Sequence, residues 1–261
     1  MPRLAAFASA LALSAAMAPA AWAEDITVGV SPGEHAEIME EVARVAEPMG
    51  LNIEVVEFSD YVIPNTALAD GDIQANSFQH RPYLENQIKD RGFDLVEIGT
   101  TITTPMGIYS DTLESLDALP DGARIGIPND PTNGGRALLI LQDLGLLTLE
   151  EGTGLVPTPL DITENPKGLE FLELDAAQLP RSLADTDASI INTNYALAAG
   201  LNPNEDTIAT EKADSPYVNI IVVRKGDENQ DWARKLVEAY HSPAVKAFID
   251  EKYEGSVLTS W

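Results

Sequence analysis

Ile26-Thr-Val-Gly-Val30, Ser31-Pro-Gly33 and the stretch behind them that carries Ile38, Val42, Val45 and Met49 form the passage that sets the fold. The first run is β-rich and short, the second is a turn, and the third spaces its apolar side chains for one face of a helix. Glu37, Glu40, Glu41, Arg44 and Glu47 take the other faces, so this helix packs on one side and meets water on the other. Asn52 to Phe58 then returns as a strand, which completes a β-α-β unit.

The same alternation continues outward. Asn65 to Ala69 reads as a short helix, Asp72 to Phe78 as a strand, Tyr83 to Arg91 as a helix and Phe93 to Ile98 as a strand. After the turn-rich connector Ser115 to Gly122 a second series begins. It has a strand at Ala123 to Ile127, a helix at Pro131 to Leu147 that is apolar nearly all round, and strands at Gly168 to Leu174 and Ala188 to Ile191. Tyr217 to Arg224 is a long β run, and Asp231 to Tyr240 and Pro243 to Tyr253 close the chain as helices. Strands alternating with helices predict an α/β protein with right-handed units on mainly parallel sheets. Two such series predict two lobes with a ligand cleft between them, at the carboxyl ends of the strands. The runs Pro105 to Tyr109 and Tyr217 to Val223 are the candidates for paired strands crossing between the lobes.

Composition limits what the cleft can hold. Acidic residues number 42 against 16 basic, a net charge of −26, which excludes the clustered cations that nucleic-acid binding needs. Arg3, the apolar run from Leu4 and Ala21-Trp-Ala23 read as a secretory signal over residues 1–23, with the mature chain starting at Glu24. There is no cysteine, so disulfides, thiol catalysis, thiolate metal sites and a lipid on an N-terminal cysteine are not expected. The expected product is therefore soluble outside the cytoplasm after signal cleavage, with no lipid on a cysteine.

Three groups of residues carry candidate chemistry. Ala75 to Tyr83 gathers Phe78, His80 and Tyr83 in one short segment, a patch suited to a soft apolar guest such as an aromatic or thioether side chain. The alternative is that these rings fill core. Pro128-Asn-Asp-Pro-Thr-Asn-Gly-Gly-Arg136 stands between a strand and a helix, where the helix start offers unpaired N–H groups to an anion. Gly134 and Gly135 would admit the anion to the backbone and Arg136 would grip a carboxylate with two parallel bonds. Asn192 and Asn219 complete the set, since an amide in an apolar strand needs a partner and can meet both ends of a zwitterion. Asn194 reads as a turn or cap residue. No nucleophile elbow or metal-binding helix motif is present, and His35, His80 and His241 are dispersed, so no enzyme, metal or cofactor is expected.

The strings Asp60 to Asn65, Asn76 to Tyr83, Pro128 to Arg136, Gln178 to Leu183, Ile191 to Tyr195 and Ser215 to Asn219 resemble, in order and spacing, those of the methionine-binding lipoprotein family. The resemblance runs over nearly the whole mature chain. It implies a two-lobed periplasmic-binding-protein fold, type II-like, with lobe 1 made of residues 24–107 plus 218–261 and lobe 2 of residues 108–217. It also implies that Tyr61, Phe78, His80 and Tyr83 wrap a thioether, that Arg136 takes the carboxylate, and that Asn192 and Asn219 hold the polar groups of the ligand. The implied partners are methionine and the membrane subunits of an ABC importer, with the chain itself a monomer. Members of the family commonly carry a lipid on a cysteine after the signal, and this chain has none. It is therefore expected in the periplasm, soluble after signal cleavage, or held there by an uncleaved signal segment. Another apolar amino acid, a short peptide or a secreted enzyme using the same cleft are the alternatives. On this reading Arg136→Ala removes ligand binding and leaves the melting temperature of the ligand-free protein nearly intact.

Overall fold

The computed structural model describes residues 23–212 and 215–261, so all but the last residue of the expected signal segment lies outside the described residues. The first part of the chain is built from strand β1 (Glu24–Val30), helix α1 (Glu34–Ala46), β2 (Leu51–Glu57), α2 (Ile63–Asp70), β3 (Ala75–His80), α3 (Arg81–Arg91) and β4 (Leu95–Thr100). The short β5 (Ile102–Thr103) leads into β6 (Gly107–Tyr109), β7 (Arg124–Pro128), α4 (Pro131–Asp143), β8 (Thr148–Leu149), β9 (Ile162–Glu164) and β10 (Glu170–Leu174). A 3-10 stretch at Ala176–Asp185 precedes β11 (Ala188–Ile191), α5 (Thr193–Ala198) and β12 (Thr207–Thr210). The chain then returns as β13 (Asn219–Arg224), α6 (Asp231–Tyr240), α7 (Pro243–Tyr253) and β14 (Leu258–Thr259).

Two five-stranded sheets result, ordered β2-β1-β3-β13-β4 and β10-β7-β11-β6-β12. In the first, β1 runs parallel to β2, pairing Glu24 with Leu51, and parallel to β3, pairing Val28 with Ala75. In the second, β7 runs parallel to β10 and β11. The expectation of mainly parallel sheets is corrected at one strand in each: β13 is antiparallel to β3 and β4, and β6 to β11 and β12. The cause is where the chain crosses. Parallel strands end at the cleft, and a strand entered from the cleft must run away from it. β6 follows the outward crossing through residues 101–106, and β13 follows the return through 211–218. For the same reason the two expected crossing runs do not pair with each other; β6 belongs to the second sheet and β13 to the first.

Each sheet is covered on both faces. Val28, Val30, Ile38, Met39, Val42, Ile221, Leu236 and Ile249 join the first sheet to α1, α6 and α7. Leu68, Ile73, Leu84, Ile220 and Val222 fill its other side under α2 and α3. In the second lobe Ile108, Ile125, Ile127, Leu138, Leu141 and Ile190 pack β-strands against α4. This helix is less enclosed than its sequence implies: Leu139 is partly exposed and Leu144, at the C-cap, is exposed. Tyr61 of the first lobe packs against the remaining cluster, which contains Tyr109, Leu179, Leu183 and Tyr195 of the second. The lobes therefore share apolar surface at one side of the cleft. Among the described residues no helix is long and apolar enough to cross a membrane.

Helix α1 opens on two buried ionisable residues. Glu34 is 0% exposed and neither of its oxygens has a hydrogen-bond partner among the described residues, and the same holds for Nδ1 of the buried His35. Desolvation pushes the Glu34 carboxyl up to about 8 and the His35 imidazole down to about 4, so both are neutral in the fold at pH 7. Between 4.5, its ordinary value, and about 8, Glu34 keeps in the folded chain a proton that the unfolded chain has lost, so stability falls as pH rises through that window. His35 acts oppositely and costs stability as pH falls from 6.5 toward about 4. Glu34→Gln is accordingly expected to raise the melting temperature more at pH 8 than at pH 5. Equal shifts in thermal melts at the two pH values would show that the carboxyl ionises freely in the folded protein.

Candidate functional site

The carboxyl ends of the parallel strands in both sheets converge on one narrow cavity with about 20 Å³ of free space, well below the ~300–1,000 Å³ common for small-molecule sites, so the lobes must part to admit a ligand. Its wall includes Tyr61, Phe78, His80, Tyr83, Arg136, Asn192 and Asn219, so all seven residues singled out in the sequence line the same space. His35, Gln79, Thr104, Asn133 and Asn194 complete the lining.

Strand β3 and the start of α3 supply the apolar wall. Pro82 sits in the first turn of α3, where its missing N–H costs nothing, and His80 caps that helix by accepting from Tyr83 N at 3.1 Å through Nδ1. The proton of the neutral ring is thereby on Nε2, which donates to Asn133 Oδ1 at 3.3 Å across the cleft. Burial, and then the positive charge of Arg136, hold the His80 imidazole down to about 3, so it stays neutral at physiological pH. Tyr61 has ring centroids 5.9 Å from Phe78 and 6.1 Å from Tyr83, and Phe78 and Tyr83 are 6.0 Å apart. These separations are those of attractive tilted and edge-on pairs. Tyr83 Oη donates to Tyr61 O at 2.8 Å, and Tyr61 Oη donates to Asn194 Oδ1. The cage is backed by a buried amide network. Asn65 Nδ2 donates to Gln79 Oε1 at 2.9 Å, and Gln79 Nε2 donates to Asn65 Oδ1 at 2.7 Å and to Asn76 Oδ1 at 2.9 Å. That network fastens α2 to β3 and fixes the loop that presents Tyr61.

The polar wall comes from the second lobe and from β13. Asp130 caps α4, its carboxylate accepting from Thr132 N at 3.2 Å and Asn133 N at 2.9 Å, with a further bond from Asn133 Nδ2 at 2.9 Å. The helix start is thus already neutralised by the protein's own carboxylate, which corrects the expectation that its N–H groups await an anion. The glycines are also explained by packing. A Cβ on Gly134 would meet Pro128 O at 2.6 Å, and one on Gly135 would meet Leu155 O at 2.7 Å. Anion recognition is left to Arg136, one turn in.

Arg136 is 2% exposed and is not the surface residue that its place in a first turn allows. Its Nε donates to Glu211 Oε1 at 3.0 Å and to Oε2 at 3.1 Å, Nη2 donates to Glu211 Oε2 and to Thr104 O at 2.9 Å, and the Tyr217 ring lies 4.5 Å from its Cζ. Nη1 makes no hydrogen bond among the described residues. Asn192 donates from Nδ2 to Asn133 Oδ1 at 2.9 Å, while its buried Oδ1 has no partner among them. Asn219 stands opposite His80 in the β13–β3 register and also lines the cavity. Asn194, read as a turn residue, is instead buried in α5 and faces the cavity. The arrangement offers a shared guanidinium to a carboxylate, an amide oxygen to an ammonium and a cage of rings to an apolar chain.

Asn133 and Glu211 are the residues that sequence reading passes over. Asn133 lay in the quoted loop, three residues after the cap Asp130, and that spacing is the signal that could have found it. Glu211 is one acid among 42 and carries no local signal.

Two α/β lobes meeting at a buried, mixed polar and aromatic cavity are the architecture of a periplasmic substrate-binding protein. The chain belongs to the NlpA lipoprotein family, whose model matches residues 26–261. It is 47% identical over 264 residues to the D-methionine-binding lipoprotein MetQ of Salmonella typhimurium, covering 98% of this chain and 97% of that one. It is 52% identical to a nutrient binding protein from Burkholderia cenocepacia solved bound to methionine, with a TM-score of 0.88 over 90% of this chain and 100% of that one. The crystal structure of the methionine binding protein MetQ matches at 47% identity and a TM-score of 0.88, covering 91% and 98% of the two chains.

These relatives overturn one expectation. A protein free and soluble in the periplasm, with no lipid anchor, disagrees with a family and relatives described as lipoproteins. The expectation joined a cleaved signal segment to the absence of cysteine. A residue count speaks to one linkage chemistry and carries nothing about how a protein is held at a membrane.

The buried pair with Glu211 argues against the expectation that Arg136→Ala is nearly neutral for stability. Removing the cation leaves Glu211, whose side chain is 9% exposed, without its partner, a change that costs about 3–5 kcal/mol for a buried pair. Chemical denaturation of ligand-free Arg136→Ala is expected to show a loss of that order, and the double variant with Glu211→Gln a smaller loss than the sum of the two. Additive losses would mean that the two side chains do not interact.

Proposed function

We propose that this chain binds methionine in the interlobe cavity and hands it to the membrane subunits of an ABC importer. The observation that carries the reading is the convergence on one buried cavity of a guanidinium, an unpartnered amide oxygen and the Tyr61, Phe78, His80 and Tyr83 rings. Arg136 takes the carboxylate through the face of its fork that Glu211 does not use. Asn192 Oδ1 accepts from the ammonium, Asn219 holds the remaining backbone polar group, and the rings enclose the thioether. The names of the Salmonella and Burkholderia relatives support the same ligand. The cavity is lined by residues of one chain, and the proposed working form is the monomer. The proposed lobes are residues 24–107 with 218–261 and residues 108–217, and the pairing of Gly107 with Ile191 in the second sheet supports a boundary at that point. The two crossings then form the hinge, and closure on the ligand presents one state of it to the importer.

Isothermal titration calorimetry against L- and D-methionine, norleucine, leucine and phenylalanine tests this reading. Methionine should bind most tightly. Norleucine, which keeps the shape and lacks the sulfur, should lose about 0.3–1.5 kcal/mol, or roughly 2- to 12-fold. Phe78→Ala should narrow that gap, and methionine should be recovered unchanged after long incubation. Absence of methionine binding, or its chemical conversion, would refute the proposal.

A further inference from the structure

Glu211 lies on the return crossing, outside the cavity lining, yet it accepts more hydrogen bonds than structural support of one arginine requires. Besides Arg136 Nε and Nη2, it takes Met106 N at 3.0 Å from the outward crossing and Ser215 Oγ at 3.1 Å from its own. Its carboxylate is therefore fixed against the guanidinium, on the side away from the cavity. Among the described residues that line the cavity, Arg136 is the one permanent charge. The histidines beside it are held neutral by burial. Asp130 is spent on the first N–H groups of α4 and on Asn133.

We propose that Glu211 is a specificity-determining residue: by cancelling the charge of Arg136 it makes the cavity wall neutral overall, so that the site takes a zwitterion and rejects the same molecule stripped of either charged group. A ligand with a carboxylate and an ammonium adds no net charge to a neutral, poorly solvated wall. One with a single charge leaves that charge uncompensated after desolvation. A wall bearing Arg136 alone would instead favour anions. The overall charge of −26 is a background common to every variant, and it drops out when a ligand ratio in one variant is divided by the same ratio in the wild-type protein.

This inference rests on the methionine reading, and two analogues separate its failure from the failure of that reading. 4-(Methylthio)butanoate lacks the ammonium, and 3-(methylthio)propylamine lacks the carboxylate. By calorimetry at pH 7.5 the wild-type protein should bind each at least about tenfold more weakly than methionine. In Glu211→Gln the butanoate should gain at least about tenfold relative to methionine, and the amine should lose. Glu211→Asp, which keeps the charge, should preserve the wild-type ranking even where overall affinity drops. Shifts of both analogues in the same direction in Glu211→Gln, or wild-type butanoate binding equal to methionine, would overturn the inference and leave Glu211 a structural support. If Glu211→Gln does not fold, Glu211→Ser carries the same comparison with the wild-type protein. If methionine fails to bind while another amino acid of the panel binds, the methionine reading falls, and the charge ranking is read on the deaminated and decarboxylated forms of that amino acid.

Discussion

A buried guanidinium must have a counterion, and the one Arg136 has is supplied by a segment that belongs to neither sheet. Through Glu211, helix α4 of one lobe is tied to both crossings: to Met106 on the way out, and to Ser215 on the way back. Thr104 O, also on the outward crossing, takes the other bond from Nη2. The cation that faces the cavity is thus part of the bonding of the two crossings. Any group that draws on the guanidinium from the cavity side changes the balance of forces on the two strands about which the lobes would move. The site and the two crossings are one hydrogen-bonded unit.

The opposite wall follows a different logic. Rings of Tyr217, His80, Tyr83, Phe78, Tyr61 and Tyr195 run in continuous contact, with centroid separations from 5.0 to 6.2 Å. The wall is soft and polarisable, and its polar tips are used to bridge the lobes: Tyr61 Oη reaches Asn194, and Tyr195 Oη donates to Ser59 O at 3.3 Å. Keeping His80 neutral matters here, because a charged imidazole beside Arg136 would place two cations in one poorly solvated space.

What the sequence disclosed and what it hid divide by range of interaction. Alternating periodicity places the elements because each period reflects a local face: Ile38, Val42 and Val45 lie on one side of a helix, and Phe78 and His80 on one side of a strand. The ring segment and Arg136 were legible because several chemical types stood within nine residues of each other. Sheet direction at β6 and β13 was not legible, since it depends on which end of the sheet the chain enters after crossing. Glu211 was invisible for a like reason: its identity as a counterion comes from a partner 75 residues away and from the surrounding acidic composition that masks any single carboxylate. The glycines at 134 and 135 were legible as a demand for small side chains, but the backbone they accommodate is the protein's own.

The central claim is geometric: one zwitterion held with its carboxylate on Arg136 and its side chain among the rings of β3 and α3. A crystal structure of the protein grown with methionine tests it most directly. The account requires density for the amino acid between the lobes, its carboxylate within hydrogen-bond distance of the Arg136 guanidinium, the ammonium against Asn192 Oδ1 and the sulfur among Tyr61, Phe78 and Tyr83. A ligand oriented with its sulfur toward Arg136, or bound outside the cavity while these residues keep their present contacts, would contradict it.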